Sequence, residues 1–226
     1  MNKNQNAVTH KLKEWVVAAL FGVMASAASA DVLYSQPTVN GAEAYFSNMG
    51  AGVQNVDGFQ LSGAMKVTGF NWWGSYSIDS GDDFIVRLFS DTTGTLSSLL
   101  SEFTVTSVSK TDSGLMDSGQ RKVSFYSFVL PTPMQLSSGQ YYLSVMNEAS
   151  QWNWSTDGAN QSGDSESLFR AADEDTWEID PFNDLAFEVL GTRQQQTVPE
   201  PGSVVLVTLA GISLLLARRR FRPENI

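Results

Sequence analysis

The chain of 226 residues contains no cysteine, and its single histidine, His10, lies near the N-terminus. The residues that follow His10 therefore have neither a thiol nor an imidazole. For this region their absence excludes Ser-His-Asp and Cys-His catalysis, zinc sites of the usual ligand sets and disulfide bonds.

Basic residues are scarce between the two ends of the chain. Residues 31–197 hold seven basic and 21 acidic residues, so this middle region has a formal charge of −14 against −10 for the whole chain. A field this negative repels phosphate backbones, which argues against nucleic acid as a partner. The length of the chain allows one domain of ordinary size or two small ones.

The first 30 residues have the three parts of a secretory signal peptide. Residues 1–14 hold three lysines, residues 15–24 form an apolar run, and the small residues Ala28 and Ala30 precede Asp31. An amphipathic helix or a membrane anchor is the alternative, but the run is too short to span a bilayer and ends in small residues. We therefore expect signal peptidase to cut before Asp31 and the rest of the chain to be exported.

The C-terminal segment joins an apolar run to a basic cluster. Residues 203–217 are apolar apart from Ser and Thr, and Arg218, Arg219 and Arg220 follow directly. As a helix, these 15 residues rise about 22 Å, short of the roughly 30 Å hydrocarbon core unless flanking residues snorkel or the bilayer thins. A basic cluster beside a membrane helix stays in the cytoplasm, so we expect the acidic middle region to lie on the other side of the membrane. The alternative, a buried core helix, leaves the arginines unexplained.

Four residues precede this short transmembrane helix, namely Val198, Pro199, Glu200 and Pro201. With the apolar run and the arginines they resemble the PEP-CTERM sorting signal of Gram-negative, exopolysaccharide-producing bacteria. The resemblance implies an inner-membrane intermediate that an exosortase, a membrane cysteine transpeptidase-like enzyme, recognises and cleaves, with the mature protein released or attached outside the cell. The two prolines keep this segment extended, so a protease can bind it as a strand. A proline-containing spacer before an ordinary tail anchor is the alternative.

The middle region, residues 31–192, predicts strands rather than helices. Short runs are rich in Val, Ile, Thr, Phe, Tyr and Trp, and no helical period is sustained. The strongest strand signals are residues 67–73, 84–90, 102–108, 122–130, 140–146 and 184–190, and weaker ones lie near Val32, Ala44, Val56, Gln151 and Leu168. Turn-rich joints such as residues 112–114 separate them. We expect an all-β antiparallel β-sandwich of roughly ten strands, jelly-roll-like rather than immunoglobulin-like, followed by a linker at residues 193–197.

The alternation along residues 84–90 predicts which side chains share a face. Phe84, Val86 and Leu88 point one way, whereas Ile85, Arg87 and Phe89 point the other way. The charge of Arg87 predicts partial solvent contact on the second face.

The middle region also resembles, less specifically, β-sandwich regions of PEP-CTERM proteins. The similar segments are residues 56–61, 67–76, 82–84, 136–145 and 152–154. This resemblance implies a secreted sandwich of unassigned activity, and it supplies no catalytic residue.

Four tryptophans are candidates for contact with carbohydrate, namely Trp72, Trp73, Trp152 and Trp154. As neighbours on a strand, Trp72 and Trp73 point to opposite faces, so at most one of them is in the core, whereas Trp152 and Trp154 share a face. Exposed rings stack on the apolar faces of sugars while side chains such as Asn71 bind the hydroxyls. The alternative is that most of these rings fill the core.

Two acidic clusters supply hard oxygen ligands in predicted loops. The clusters are Asp79, Asp82 and Asp83, and Asp173, Glu174 and Asp175. Calcium is the cation that such loops would select outside a cell. Neither cluster matches the twelve-residue calcium loop, so a solvated acidic surface is the alternative.

Together these features predict an exported extracellular or cell-surface protein that has a non-catalytic structural or matrix role and no required cofactor. One alternative is a carbohydrate-binding module that contacts exopolysaccharide through exposed tryptophans. A second alternative is a glycan-active enzyme, which needs two carboxylates facing each other across a cleft. The sequence singles out no such pair among its acidic residues.

Overall fold

The computed structural model describes residues 30–78, 81–91, 96–105, 107–148, 151–158, 167–180 and 184–194. Within these ranges the chain forms 13 strands and one short 3-10 helix, Met49–Ala51. The strands are β1 (Asp31–Gln36), β2 (Ala44–Phe46), β3 (Gln54–Leu61), β4 (Met65–Ile78), β5 (Phe84–Asp91), β6 (Leu96–Val105), β7 (Ser109–Met116), β8 (Lys122–Leu136), β9 (Gly139–Asn147), β10 (Gln151–Ser155), β11 (Ser167–Arg170), β12 (Glu178–Asp180) and β13 (Phe187–Arg193).

The 14-residue strand β4 is the centre of a seven-stranded sheet, which we call the first sheet. One side of β4 pairs with β8, and the other side pairs with β13 along its first part and with β10 along its second part. Strand β7 adds to β8, β1 to β13 and β2 to β10. The second sheet has six strands in the order β12-β11-β3-β9-β5-β6. The described residues therefore confirm an all-β protein of two antiparallel sheets.

The core between the sheets is built from alternate residues of each strand. On β5, Phe84, Val86 and Leu88 are completely buried, as the alternation predicts. Phe84 of the second sheet lies among three rings of the first sheet, with ring centroids 5.2 Å from Trp72, 5.0 Å from Tyr126 and 5.1 Å from Trp152. Each such edge-to-face pair contributes about 0.5–1.5 kcal/mol beyond the burial of its area. This aromatic cluster joins the two sheets.

A glycine on β4 makes room for the largest ring of this cluster. The indole of Trp152 lies against Gly74, where an added Cβ would collide with the ring. Gly74 is therefore needed for close approach rather than for chain flexibility.

A buried carboxylate links the second sheet to the chain before β13. Asp57 on β3 accepts hydrogen bonds from Gln36 Nε2 of β1, at 2.9 Å, and from the backbone N–H of Leu185. Gln36 Nε2 also donates to the Leu185 carbonyl, at 2.8 Å. Buried polar groups need such partners, so these bonds fix how β1, β3 and the segment before β13 meet.

All eleven strand signals fall on or overlap strands of the structure, but several boundaries and two elements were predicted wrongly. Strand β4 continues to Ile78 rather than ending at residue 73. Strand β6 runs from Leu96 to Val105 rather than over residues 102–108, and β13 begins at Phe187 rather than at residue 184. Strand β8 continues through Pro131 and Pro133 to Leu136, because its ladder with β4 shifts register at that point and leaves room for residues without a donor. Strands β7 and β12 gave no signal.

The turn predicted at residues 112–114 is a bulge inside β7. The register with β8 shifts between Asp112 and Leu115, and Gly114 has a φ of 75°. The Gly114 N–H donates to Asp112 Oδ1 at 2.8 Å. Turn-forming residues here bend a strand instead of ending it.

Asp117 anchors the turn between β7 and β8 to β4. Its carboxylate has no solvent exposure and accepts hydrogen bonds from Ser75 Oγ at 2.6 Å, from the Arg121 N–H at 2.9 Å and from Arg121 Nε at 2.7 Å. Burial opposes ionisation, but the bonds from Ser75 and Arg121 and the charge of Arg121 outweigh it, so the pKa of Asp117 is lowered.

Replacing this carboxylate tests its role. Asp117→Asn should lower the free energy of unfolding by about 1–3 kcal/mol at pH 7, because it removes a charged acceptor of three hydrogen bonds, of which the one from Ser75 is buried. Since the folded pKa is depressed, this stabilisation is present above the ordinary aspartate pKa of about 3.9 and is lost as the pH falls through the folded pKa. Urea denaturation from pH 7 down to pH 3 should show the wild-type advantage shrinking.

Asp112→Asn is the matched control, because Asp112 is exposed and its distance to Lys122 Nζ is 3.9 Å. This variant should unfold with nearly wild-type stability. A loss as large as that of Asp117→Asn, or a wild-type advantage that stays constant with pH, would contradict the assignment.

Candidate functional site

The structure corrects three of the four tryptophans predicted to contact carbohydrate. Trp72, Trp152 and Trp154 are each 0 % exposed and belong to the core, so their rings cannot stack on a sugar. Trp154 Nε1 donates to the Ala186 carbonyl at 2.9 Å, inside the sandwich. The prediction of which tryptophans share a face of a strand was correct. Trp72 and Trp73 point to opposite sides of β4, and Trp152 and Trp154 both point into the core.

Trp73 is the predicted tryptophan that remains partly exposed, on the outer face of the first sheet. Its neighbour across the ladder is Phe125 of β8, and the two ring centroids are 5.1 Å apart. Phe125 is also partly exposed. The two rings form an apolar surface on the side of the sheet that faces away from the core.

A row of polar side chains lies beside these rings. Asn71, two residues before Trp73 on the same face, donates from Nδ2 to Glu188 Oε2 at 2.8 Å. Glu188 Oε1 accepts from Ser35 Oγ at 3.1 Å. Asn71 is 7 % exposed, and its Oδ1 has no hydrogen-bond partner among the described residues. A buried acceptor without a partner costs free energy, and because this oxygen is buried a sugar hydroxyl cannot reach it in this conformation.

Asp82 of the first acidic cluster contacts a tyrosine and a lysine. Asp82 accepts from the Tyr76 hydroxyl and lies 3.2 Å from Lys110 Nζ, which is 4.5 Å from the centroid of the Tyr76 ring. Burial, followed by the hydrogen bond to Asp82, raises the pKa of Tyr76 above its ordinary value. Asp83 is exposed, whereas Asp79 lies outside the described residues.

The second acidic cluster contributes one carboxylate to a buried arginine. Asp173 and Glu102 bind Arg87, which is only 9 % exposed, whereas Ile85 on the same face is partly exposed. Burial lowers the pKa of Arg87, but its hydrogen bonds to Asp173 and Glu102 outweigh this, and the net shift is upward. Glu174 and Asp175 are exposed.

The described members of the two acidic clusters form no cation site. In the described ranges no group of three or more His, Cys, Asp or Glu side chains is placed so that it could hold a metal ion. Calcium binding at these loops stays a prediction.

The contact between Arg87 and Asp173 was missed by sequence reasoning. It spans 86 positions and belongs to a cavity of about 380 Å³ on the outer face of the second sheet. The lining residues are Arg87, Phe89, Leu96, Leu99, Glu102, Arg170, Asp173 and Trp177. The alternation along β5 placed Arg87 and Phe89 on this face, but nothing in the sequence indicated which loop covers them.

Most of the predicted processing residues cannot be placed. Ala28, Val198, Pro199, Glu200, Pro201, Arg218, Arg219 and Arg220, together with the predicted helix 203–217, lie outside the described residues. Ala30 and Asp31 are exposed at the start of β1. In the part of the chain that the structure describes, no helix has the length and hydrophobicity needed to cross a membrane.

No protein-family model matches this chain, and neither a curated protein nor a solved structure matches it. Function is therefore inferred from the outer faces of the two sheets and from the sequence of the two ends.

Proposed function

We propose that the protein is exported, trimmed at both ends and kept at the cell surface or in the extracellular matrix of a Gram-negative bacterium, where its role is non-catalytic. The observation that carries this proposal is the position of the fold between the two processing signals. Strand β1 begins at Asp31, where signal peptidase would cut, and β13 ends at Arg193, where the predicted linker begins. Removal of both signals leaves every described strand intact.

The proposed route has three stages. The signal peptide directs export, the segment 203–217 holds the protein in the inner membrane with its arginines in the cytoplasm, and an exosortase then cleaves near Pro199 and Pro201. Signal peptidase and exosortase are the enzymes that would act on the chain, and the membrane is its partner only before processing.

The engagement of two of the buried carboxylates supports a non-catalytic role. Asp57 and Asp117 are bound by backbone and side-chain donors that join strands. Glu188 binds an amide and a hydroxyl on the outer face of the first sheet. A glycosidase instead needs two carboxylates across a cleft, with one protonated as a general acid.

We assign this sandwich a jelly-roll-like topology. The chain passes repeatedly between the two sheets: β3 is in the second sheet, β4 in the first, β5 and β6 in the second, β7 and β8 in the first, and β9 in the second. Strands β10 and β13 return to the first sheet. Such repeated crossing favours a jelly roll over an arrangement of consecutive hairpins within one sheet.

Mass spectrometry of the protein recovered from the medium or surface of its host tests the processing. The mature form should begin at Asp31 and lack residues 203–226. The double variant Pro199→Ala/Pro201→Ala should still lose residues 1–30 but keep its C-terminus, because only the exosortase step depends on the prolines. A mature wild-type chain that retains residues 203–226 would contradict the proposal.

The outer face of the first sheet supports a second candidate function, the binding of neutral exopolysaccharide. The observation that favours it is the partly exposed ring pair of Trp73 and Phe125 beside the partly exposed carboxylate of Glu188. Aromatic rings cover the apolar face of a sugar, and amide and carboxylate oxygens accept its hydroxyls.

Isothermal titration calorimetry with exopolysaccharide purified from the host tests this second function. Trp73→Ala should weaken binding about tenfold, which corresponds to about 1.4 kcal/mol for one aromatic contact. Phe169→Ala is the matched control, because Phe169 is an exposed ring on β11 of the other sheet. Equal binding by the wild type and Trp73→Ala would contradict carbohydrate binding at the outer face of the first sheet.

A further inference from the structure

The carboxylate of Asp173 is held between two guanidinium groups. Arg87 donates to both of its oxygens, from Nη1 to Oδ1 at 2.6 Å and from Nη2 to Oδ2 at 3.2 Å. Arg170 donates from Nη2 to the same Oδ1 and from Nη1 to the Asp173 carbonyl at 2.6 Å. A fork-to-fork pair with a second arginine on the shared oxygen is the geometry in which proteins recognise carboxylates.

The two arginines have supports other than Asp173. Gln54, which is fully buried, accepts from Arg170 Nε at 2.8 Å and from Arg87 Nη1 at 3.3 Å through the same Oε1. Arg87 Nε donates to Glu102 Oε2 at 2.7 Å. Gln54 in turn donates from Nε2 to Ser144 Oγ at 3.0 Å. These bonds orient both guanidinium groups from strands β3, β6, β9 and β11 of the second sheet.

Asp173 is the exposed member of this arrangement. Its side chain is 54 % exposed, whereas the side chains of Arg87 and Arg170 are 11 % and 10 % exposed. Asp173 lies in the turn between β11 and β12, whose neighbours Glu174 and Asp175 are also exposed. The arginines belong to the sheet, and the carboxylate reaches them from a loop.

The cavity beside the arginines has a wall suited to a ring. Trp177 is partly exposed, its ring centroid lies 4.4 Å from Arg170 Cζ, and the ring of Phe89 meets it edge-on at 5.8 Å. Leu99, which is 51 % exposed, also lines the cavity. The cavity of about 380 Å³ is lined in equal parts by apolar and charged side chains, and its volume lies in the range of small-ligand sites.

We propose that this cavity binds a hexuronate residue of an acidic polysaccharide, with the uronate carboxylate taking the place of Asp173 between Arg87 and Arg170. The sugar ring lies against Trp177 and Leu99, and Glu102 is placed to accept a hydroxyl. Asp173 competes with the uronate for the two arginines, which we call the clamp. The apparent affinity for the polysaccharide is therefore the intrinsic affinity multiplied by the fraction of time that Asp173 leaves the clamp free.

This site is independent of the processing proposal and of the face that carries Trp73, which lies on the other sheet. Because the displaced Asp173 stays in its turn beside Glu174 and Asp175, a bound uronate adds one negative charge to an acidic region, and this repulsion opposes the exchange. At physiological ionic strength more distant charges are screened over about 8 Å.

Calorimetric titration of the full-length protein with trigalacturonate tests the proposal. Asp173→Asn should raise the affinity about tenfold if Asp173 fills the clamp nine-tenths of the time. Glu174→Gln is the matched control, because it makes the same change of charge in the same turn without touching either arginine, and it should change the affinity less than about twofold. Arg170→Gln should abolish binding both in the wild-type protein and in combination with Asp173→Asn.

The ligand controls separate the sugar from its charge. Neutral galactotriose should not bind, and acetate should bind more weakly than trigalacturonate because it lacks the ring.

Failure of Asp173→Asn to bind trigalacturonate, equal gains for Asp173→Asn and Glu174→Gln, or equal binding of acetate would each overturn the proposal. Thermal denaturation of each variant checks that the fold is kept, and Arg87→Lys, which keeps the charge but not the fork, should weaken binding in a folded protein.

Discussion

The packing of Phe84 against Trp72, Tyr126 and Trp152 is the contact on which the rest of the structure depends. The middle region has no cysteine and a formal charge of −14, so neither disulfides nor attraction between surface charges can hold the two sheets together. Burial of apolar and aromatic area must do so. The rings that look like ligand-binding residues in the sequence are therefore used to fill the core.

This use of the aromatic residues moves the candidate sites to the outer faces of the sheets. On the first sheet, Trp73 is the predicted tryptophan that stays partly exposed, and the buried Asn71 lies beside it. On the second sheet, Arg87 and Arg170 converge on a carboxylate that belongs to a loop. Each site combines a ring with polar groups of fixed orientation, which is what recognition of a sugar requires. A sandwich that presents such faces fits the proposed role among extracellular polysaccharides.

Local pattern predicted the strands and their faces, because side chains alternate along a strand whatever it pairs with. It could not predict that residues 112–114 form a bulge rather than a turn, since the same turn chemistry serves both. It also could not distinguish the buried face of Trp152 from an exposed one, because the facing sheet decides burial. The clamp of Arg87 and Asp173 depends on a loop 86 positions away, and no local signal reports such a contact.

The exchange of the indole N–H protons with solvent, followed by NMR, tests most directly whether the tryptophans form the core. The indole protons of Trp72, Trp152 and Trp154 should exchange only when the sandwich opens, because all three rings are fully buried. The indole proton of Trp73 should exchange much faster from the outer face. If the protons of Trp72 and Trp152 exchanged as fast as that of Trp73, the two sheets would not be joined by this aromatic cluster.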